Sequence, residues 1–347
     1  MSVPAPPDIL ARLGWDAAFA EAFEPRAAAG DHAGRVSRVD RGFCTVITAA
    51  GTLRAGTATA PELPAVGDWV AVSPADATIT AVLPRRSSFT RMATAAKVEA
   101  QVLAANIDTV FIVVSLASAW NVRRLERYLA VAWQSGAMPV VVLTKADLCR
   151  SPEPRIAEAE AAAVGVDVHV ASGVTGDGID QVRDYARFGR TVALLGLSGV
   201  GKSTLVNALV GDDTAATAEV RSDGKGRHTT TRRELLVLPD GGVVIDTPGL
   251  RGLALWDADE GIERTFADLE ELATQCRFND CQHEAEPGCA VLAALAGGTI
   301  TRSRLDSWQK LQGEAHWLTV RKSQQAKSDE RKRWKARMRE AGPTRPR

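Results

Sequence analysis

The 347-residue chain is poor in several things that would each have set its class. Five cysteines, three of them bunched near the C-terminus, do not make a disulfide framework. They suit a reducing compartment and a metal site. No apolar run approaches the roughly 18 residues of a membrane span, and the opening MSVPAPPDILARLGWD lacks the basic start and apolar stretch of a secretory leader. The chain is therefore expected in the cytoplasm, monomeric and without membrane contact. Net charge is also missing, with 42 basic and 42 acidic side chains, but the balance is uneven along the chain. Residues 321–347 hold 11 basic and 3 acidic side chains, so this tail is +8 and residues 1–320 are −8. Such a tail has the charge to bind phosphates, with strong salt dependence. The plainer reading is a solvated helix.

Length alone predicts two or three domains at roughly 100 to 200 residues each. Residues 1–30 read as a short Ala-rich helical extension with no assigned chemistry. Across 31–88 the texture changes to short β-prone runs, CTVIT (44–48), DWVAV (68–72) and TITAVL (78–83), separated by Gly, Pro and Asp turns. Five such strands in so short a segment fit an OB-fold barrel, a design often used to bind nucleic acid; a barrel that only packs against its neighbour is the alternative. Residues 89–254 alternate apolar strands, TVFIVVSL (109–116), PVVVLTKAD (139–147), VDVHVAS (166–172) and TVALLG (191–196), with helices near 122–134, 156–164 and from Ile179. Continuous β-branched runs between helices predict a parallel sheet covered on both faces. Beyond Gly249 that rhythm stops. A third unit, 255–320, combines helix, a Cys/His loop and an amphipathic helix with Leu305, Trp308, Leu311, Ala315 and Leu318 at helical spacing; the basic tail is 321–347.

The run Gly196-Leu197-Ser198-Gly199-Val200-Gly201-Lys202-Ser203-Thr204 follows a predicted strand and opens a predicted helix, the setting a phosphate loop requires. Glycines let backbone N–H groups turn inward around phosphates, and the helix N-terminus adds positive potential. Lys202 is expected on the β- and γ-phosphates and Ser203 on Mg²⁺. VVIDTPG ends a second apolar strand 43 residues after Ser203, placing Asp246 to hold Mg²⁺ through a water and the Gly249 N–H to sense the γ-phosphate. Thr144, Lys145, Ala146 and Asp147 supply base recognition: Asp147 can accept two hydrogen bonds from guanine, and Lys145 can lay its stem along the ring. Thr144 stands where Asn is usual and can replace only part of an Asn amide. Ala171 and Ser172, at the end of the next strand, are expected to close over the base. Between phosphate loop and DTPG lies GKGRHTTTRRE (224–234), fit for a switch in which Thr229, Thr230 or Thr231 completes the Mg²⁺ shell. Leu250 follows DTPG where a water-positioning Gln is common, so another group must orient the water. His228 is the nearest candidate, contact with RNA or solvent being its other reading. Intrinsic turnover is expected to be slow and to need a partner. The catalytic set is then Lys202, Asp246 and His228.

Cys276, Cys281, His283 and Cys289 fall within CRFNDCQHEAEPGC. Three thiolates and one imidazole satisfy tetrahedral Zn²⁺ and leave no open position, which predicts one structural zinc that stabilises a small subdomain. Cys44 and Cys149, isolated in apolar surroundings, read as reduced core thiols.

The order of the motifs is the decisive feature. Base loop precedes phosphate loop, which precedes DTPG, whereas an ordinary guanine-nucleotide domain runs phosphate loop, switch loops, then base loop, so the chain resembles a circularly permuted P-loop GTPase. With GRHTTT, DTPGL, the Cys-x4-Cys-x-His-x5-Cys loop and the preceding barrel, it is similar to the ribosome small-subunit-dependent GTPase A family, RsgA or YjeQ, over about residues 10–320. The resemblance implies an OB-fold barrel, a permuted α/β GTPase domain and a C-terminal helical zinc subdomain. It further implies GTP and GDP as ligands, the small ribosomal subunit and its rRNA as partner, and late maturation of that subunit with stimulated hydrolysis as the role. A P-loop ATPase or kinase would not need Asp147 where it stands; an RNA-binding assembly module whose GTPase is only a timer is a further alternative. Because DTPG leads straight into the zinc unit, a γ-phosphate-dependent move of that loop is expected to shift the unit relative to the barrel.

Overall fold

The computed structural model describes residues 9–94, 97–118, 120–211, 234–246 and 258–340. Two helices, α1 (Ile9–Arg12) and α2 (Ala17–Ala28), precede the first strand. Asp16 starts α2 by accepting the Ala18 and Phe19 N–H groups at 3.1 and 3.2 Å, the usual way to satisfy the donors a helix leaves over at its start. The extension is part of the packed core: Leu13 and Phe19 are buried, and Trp15 meets the barrel's Trp69 edge-to-face at 4.8 Å.

Strands β1 (His32–Asp40), β2 (Phe43–Thr48), β3 (Gly51–Gly56), β4 (Trp69–Ser73) and β5 (Thr78–Val82) pair in the order β1-β2-β3-β5-β4 and close through β1–β4. Alternation dictates the curvature. Along β2, Cys44, Val46 and Thr48 point inward while Phe43, Thr45 and Ile47 are less covered, and Val36, Ala55, Val70, Val72 and Ile79 complete the interior. A register shift between Val36 and Arg38 bends β1, as bulges do at barrel corners. This closed five-strand barrel is the OB-like unit the sequence predicts.

A hairpin of β6 (Ser88–Thr94) and β7 (Lys97–Ala105) follows. The sequence reading placed no strands there. KVEAQVLAA is rich in good helix formers, but Lys97–Val102 alternates polar and apolar with the period of a strand, and pairing with β6 follows that alternation.

The central sheet runs β10-β9-β8-β11-β13-β12, with β8 (Thr109–Ser115), β9 (Met138–Thr144), β10 (Val168–Val170), β11 (Thr191–Leu195), β12 (Glu234–Val237) and β13 (Val243–Asp246). All neighbours are parallel except β12 against β13. The chain first builds outward from β8 to β10, then restarts beside β8 with β11. The loops after β8 and β11 thus flank a topological switch point, where ligands of open α/β sheets bind. Helices cover both faces, which explains the unbroken apolar strands: Phe111 and Val113 pack with Leu205 and Val206, while Val110 and Ile112 pack with Leu125 and Leu129. The helices are α3 (Val122–Gln134), α4 (Glu153–Ala162), α5 (Ile179–Arg183) and α6 (Lys202–Val210). Barrel and sheet are continuous through one antiparallel pairing, Arg38 with Glu234.

The C-terminal unit contains α7 (Asp259–Thr265), α8 (Ala267–Thr274), α9 (Ala290–Ala296) and α10 (Arg302–Glu340), so one helix crosses residue 320, where the sequence suggests a boundary. Of the stripe read on α10, Leu305, Trp308, Leu311 and Ala315 are buried. They belong to the same apolar cluster as α3, so the zinc unit and the sheet share a core.

Candidate nucleotide and metal sites

The phosphate-loop residues lie between β11 and α6, with Lys202 the first helical residue. Val200 is buried and anchors the loop, while Leu197, Ser198, Gly199, Ser203 and Thr204 are exposed. Gly201 adopts φ +103°, a conformation L side chains avoid. A Cβ there would come within 3.4 Å of the Thr144 hydroxyl and 3.9 Å of Lys145 Cε. The Lys202 ammonium donates to the Gly196 and Leu197 carbonyls at 2.9 and 2.6 Å, which holds it over the loop.

The base-loop residues meet this loop from the end of β9. Thr144 is buried, and its hydroxyl contacts both the Val200 carbonyl of the phosphate loop and, at 3.3 Å, the Val114 carbonyl of β8. One side chain therefore ties the two loops together. Lys145 sits at φ +59°, turning the chain so that Ala146–Leu148 form a single 3₁₀ turn. Asp147 is exposed and accepts the Ser172 hydroxyl at 2.7 Å. Ser172 is fully buried and its oxygen also accepts from the Thr175 N–H at 3.2 Å. Ala171 is buried and donates its N–H to Leu143 at 2.9 Å, which fixes the loop after β10 to β9. The structure thus brings Thr144–Asp147, Ala171–Ser172 and Gly196–Thr204 to one edge of the sheet.

Asp246 ends β13, half-buried, beside β11 on the same edge. His228, Thr229, Thr230, Thr231, Gly249 and Leu250 lie outside the described residues. At the nucleotide loops, two further residues shape the site. Gly173 packs on the first turn of α6, where a Cβ would stand 3.0 Å from the Thr204 methyl. Arg155 reaches back from α4 to the Leu116 and Ser118 carbonyls, securing the loop after β8. Glycine after Ser172 was a signal for the first; nothing in the sequence marks the second, because the contact joins residues 39 positions apart.

The proposed zinc ligands converge, all four ligand atoms lying within 4.8 Å of one another. Cys276 Sγ is 3.8 Å from Cys289 Sγ and 3.6 Å from His283 Nδ1, and Nδ1 is 3.4 Å from Cys289 Sγ. A tetrahedral Zn²⁺ with bonds of about 2.3 Å to sulfur and 2.0–2.1 Å to nitrogen separates its ligands by roughly 3.5–3.8 Å, so the donor set fits one zinc. Burial opposes the Cys276 thiolate, but the Val291 and Ala290 N–H groups at the start of α9 favour it, and the net shift is downward. Glu286, which the sequence reading passed over, accepts the Gln282, Glu284 and Ala285 N–H groups at 2.7, 2.9 and 3.0 Å. Those backbone bonds push its pKa down to about 2 and fold the loop that carries His283. Trp308 of α10 covers His283, with ring centroids 5.3 Å apart.

The family profile for the RsgA GTPase matches residues 82–256. The small ribosomal subunit biogenesis GTPase RsgA of Streptomyces coelicolor is 48% identical over 339 residues, spanning 94% of this chain and 92% of that protein. The chain belongs to the RsgA GTPase family. A second RsgA, from Opitutus terrae, is 47% identical over 350 residues and spans 94% of this chain and 95% of its own. Among solved structures, YjeQ from Thermotoga maritima superposes with a TM-score of 0.61 at 28% identity, over 82% of this chain and 98% of that one. YloQ, described as a circularly permuted GTPase, shares the fold at a TM-score of 0.60 and 23% identity. An RsgA-family chain is a GTP hydrolase, and the loop order after β9, β11 and β13 is the permuted one.

Proposed function

We propose that this GTPase binds the small ribosomal subunit, acts in its late maturation, and hydrolyses GTP to GDP and phosphate when the subunit completes its site. The observation that carries the guanine reading is Asp147, held by Ser172 at the sheet edge that also bears the phosphate loop. Its carboxylate accepts from the N1–H and amino group of guanine, which adenine does not present. Ser172 and Ala171 close the base side, Lys145 lies along the ring, and Thr144 sets the spacing between base and phosphates. Lys202 and the N–H groups of Gly196–Thr204 hold the phosphates. GTP arrives as its Mg²⁺ complex, for which Ser203 and Asp246 are the assigned protein partners, with Thr230 and Gly249 on the γ-phosphate side. With Leu250 unable to orient water, we assign that task to His228, acting when the subunit is bound. Cys276, Cys281, His283 and Cys289 hold a structural zinc, and the basic residues after Arg321 supply charge toward rRNA phosphates.

Steady-state turnover of GTP and of ATP, each with and without purified small subunits, tests this reading. GTP turnover alone should rise with the subunit. An unchanged GTP rate overturns the ribosomal role, and competition by ATP overturns the base assignment. His228→Ala should lower the stimulated rate and leave GDP affinity unchanged.

A further inference from the structure

Strand β12 brings one more carboxylate to the nucleotide edge, at the end of the switch run and with no task of its own in the motifs. Glu234 opens β12 and stands directly opposite Asp246, the last residue of β13. On its other side it is the register partner of Arg38 in barrel strand β1. Residues opposed in antiparallel strands project from the same face, with Cβ atoms about 4.5–5.5 Å apart. The face follows from the neighbouring positions. Leu236 and Val244, two residues along each strand, belong to the apolar cluster of Leu205 and Val206 of α6, whereas Leu235 and Ile245 belong to the cluster of α3. Glu234 and Asp246 therefore both project on the α6 side, and α6 carries Ser203 in its first turn.

Like charges directly opposite one another across a sheet are destabilising. Glu234 is half-buried, and among the described residues no side chain or N–H group bonds its carboxylate. Arg38 is committed elsewhere, its Nε and Nη2 both donating to Asp40 at 2.9 and 2.8 Å. Among the described residues Glu234 is thus left without a cation. Two carboxylates that share a site are relieved by a positive charge between them. The donors gathered here suit a hard divalent ion. The Ser203 hydroxyl follows β11 and the Asp246 carboxylate ends β13, strands that are parallel neighbours in the sheet. Mg²⁺ held by one or two protein oxygens keeps several of its waters, which need acceptors in turn.

We propose that Glu234 is a positioning residue for the Mg²⁺ of the nucleotide, accepting hydrogen bonds from waters the ion retains and adding a second negative charge beside Asp246. This role rests on the assignment of Ser203 and Asp246 to Mg²⁺ and is independent of the ribosomal reading. It extends the ion's surroundings to a strand that also pairs with the barrel, so the β1–β12 register fixes where this carboxylate stands. A residue so placed governs affinity for the ion and leaves recognition of the base to Asp147.

The test uses the full-length, zinc-loaded protein with GDP bound, in buffer freed of Mg²⁺ without chelator so that zinc stays in place. Mn²⁺ is titrated in and followed by electron paramagnetic resonance, and Mg²⁺ is measured by its displacement of Mn²⁺. Glu234→Gln should weaken both ions about tenfold or more, the range for groups that orient a metal's ligands. Glu234→Asp keeps the charge and should recover at least part of the loss. Without Mg²⁺ the Gln variant should bind GDP no more weakly than the parent, and its unfolding temperature should equal or exceed the parent's, because a repelling charge is gone. Asp246→Asn is the reference. If it lowers Mn²⁺ affinity and Glu234→Gln does not, Glu234 has no part in holding the ion and the Mg²⁺ assignment stands; if neither variant lowers it, both fall. A Gln variant that loses Mn²⁺ affinity but also unfolds at a lower temperature without the ion would show a structural role and equally overturn the proposal.

Discussion

Thr144 departs from the Asn usual at its position, and the sequence suggested a loss. In the structure its hydroxyl reaches the Val200 carbonyl, 56 residues along the chain, so its task is to hold base loop and phosphate loop at a fixed distance. Thr144→Ala removes that bond and should weaken GDP by about 2- to 12-fold, the value of one hydrogen bond of 0.5–1.5 kcal/mol. Thr144→Ser should restore it; titration with a fluorescent GDP decides, and an unaffected Ala variant refutes the bracing role. The convergence of the Cys/His set, and the meeting of Asp147 and Lys202 at one sheet edge, were legible because both sit in motifs of short spacing. The Thr144 tie was not, since it depends on which strands become neighbours. Cys44 was also read correctly as a core thiol: it is fully buried, and burial raises its pKa to about 11 from 9.0. A raised pKa means less thiolate, so at pH 8 its alkylation should run about 100-fold slower in the folded protein than after unfolding, as mass spectrometry of timed samples would show.

At the scale of elements, the strands and helices of the parallel sheet were legible from apolar runs, whereas the β6–β7 hairpin and the docking of α2 were not. The docking of α2 rests on the barrel, distant in sequence, whereas the hairpin joins adjacent strands whose alternation competes with the helix preference of their Ala, Glu, Gln and Lys residues. The zinc loop lies between these cases: its ligands are evident, but the fold that presents His283 depends on Glu286 and its three N–H bonds. Because backbone bonds hold the Glu286 pKa near 2, its support is complete above about pH 4.5 and is lost only as pH falls toward 2. Glu286→Ala should lower zinc affinity by roughly 10- to 100-fold, the range for residues that orient metal ligands. Competition with a chromophoric chelator measures it, and an affinity equal to the parent's would show that the loop is ordered by metal alone. Close backbone packing fixes α7 as well. Gly261 packs so closely on α3 that a Cβ would stand 2.2 Å from the Ala130 carbonyl. Gly261→Ala should cost about 1–3 kcal/mol through overpacking, read as a lower urea midpoint.

Over the whole molecule, the placement of the zinc unit changes how the permutation is understood. The sequence suggests that DTPG drives this unit directly. The structure docks the unit on α3: Arg304 bonds Glu126 at 3.0 Å, Arg123 pairs with Asp306 and Arg127 with Glu314, and Arg264 lies over Trp133 at 3.7 Å, while Asp268 of α8 holds Arg304 in place at 2.7 and 2.8 Å. A shift of the zinc unit relative to α3 would break these contacts, and α3 leads into β9 and the base loop. Arg304 is the test of that joint, because Glu126 is 1% exposed and burial already raises its pKa. Arg304→Met leaves a buried carboxylate without its cation, which should cost about 3–5 kcal/mol. The cost should depend on pH in one direction. A carboxylate whose folded pKa is raised binds its proton more tightly in the native state, so the variant loses stability as pH rises from the unfolded value through the raised one. Urea unfolding at pH 5.5 and at pH 8 should therefore separate the variant from the parent more at the higher pH. Adding Glu126→Leu should recover most of the loss and flatten the pH dependence. Equal losses at both pH values would show that Arg304 acts through packing or Asp268 and not through Glu126.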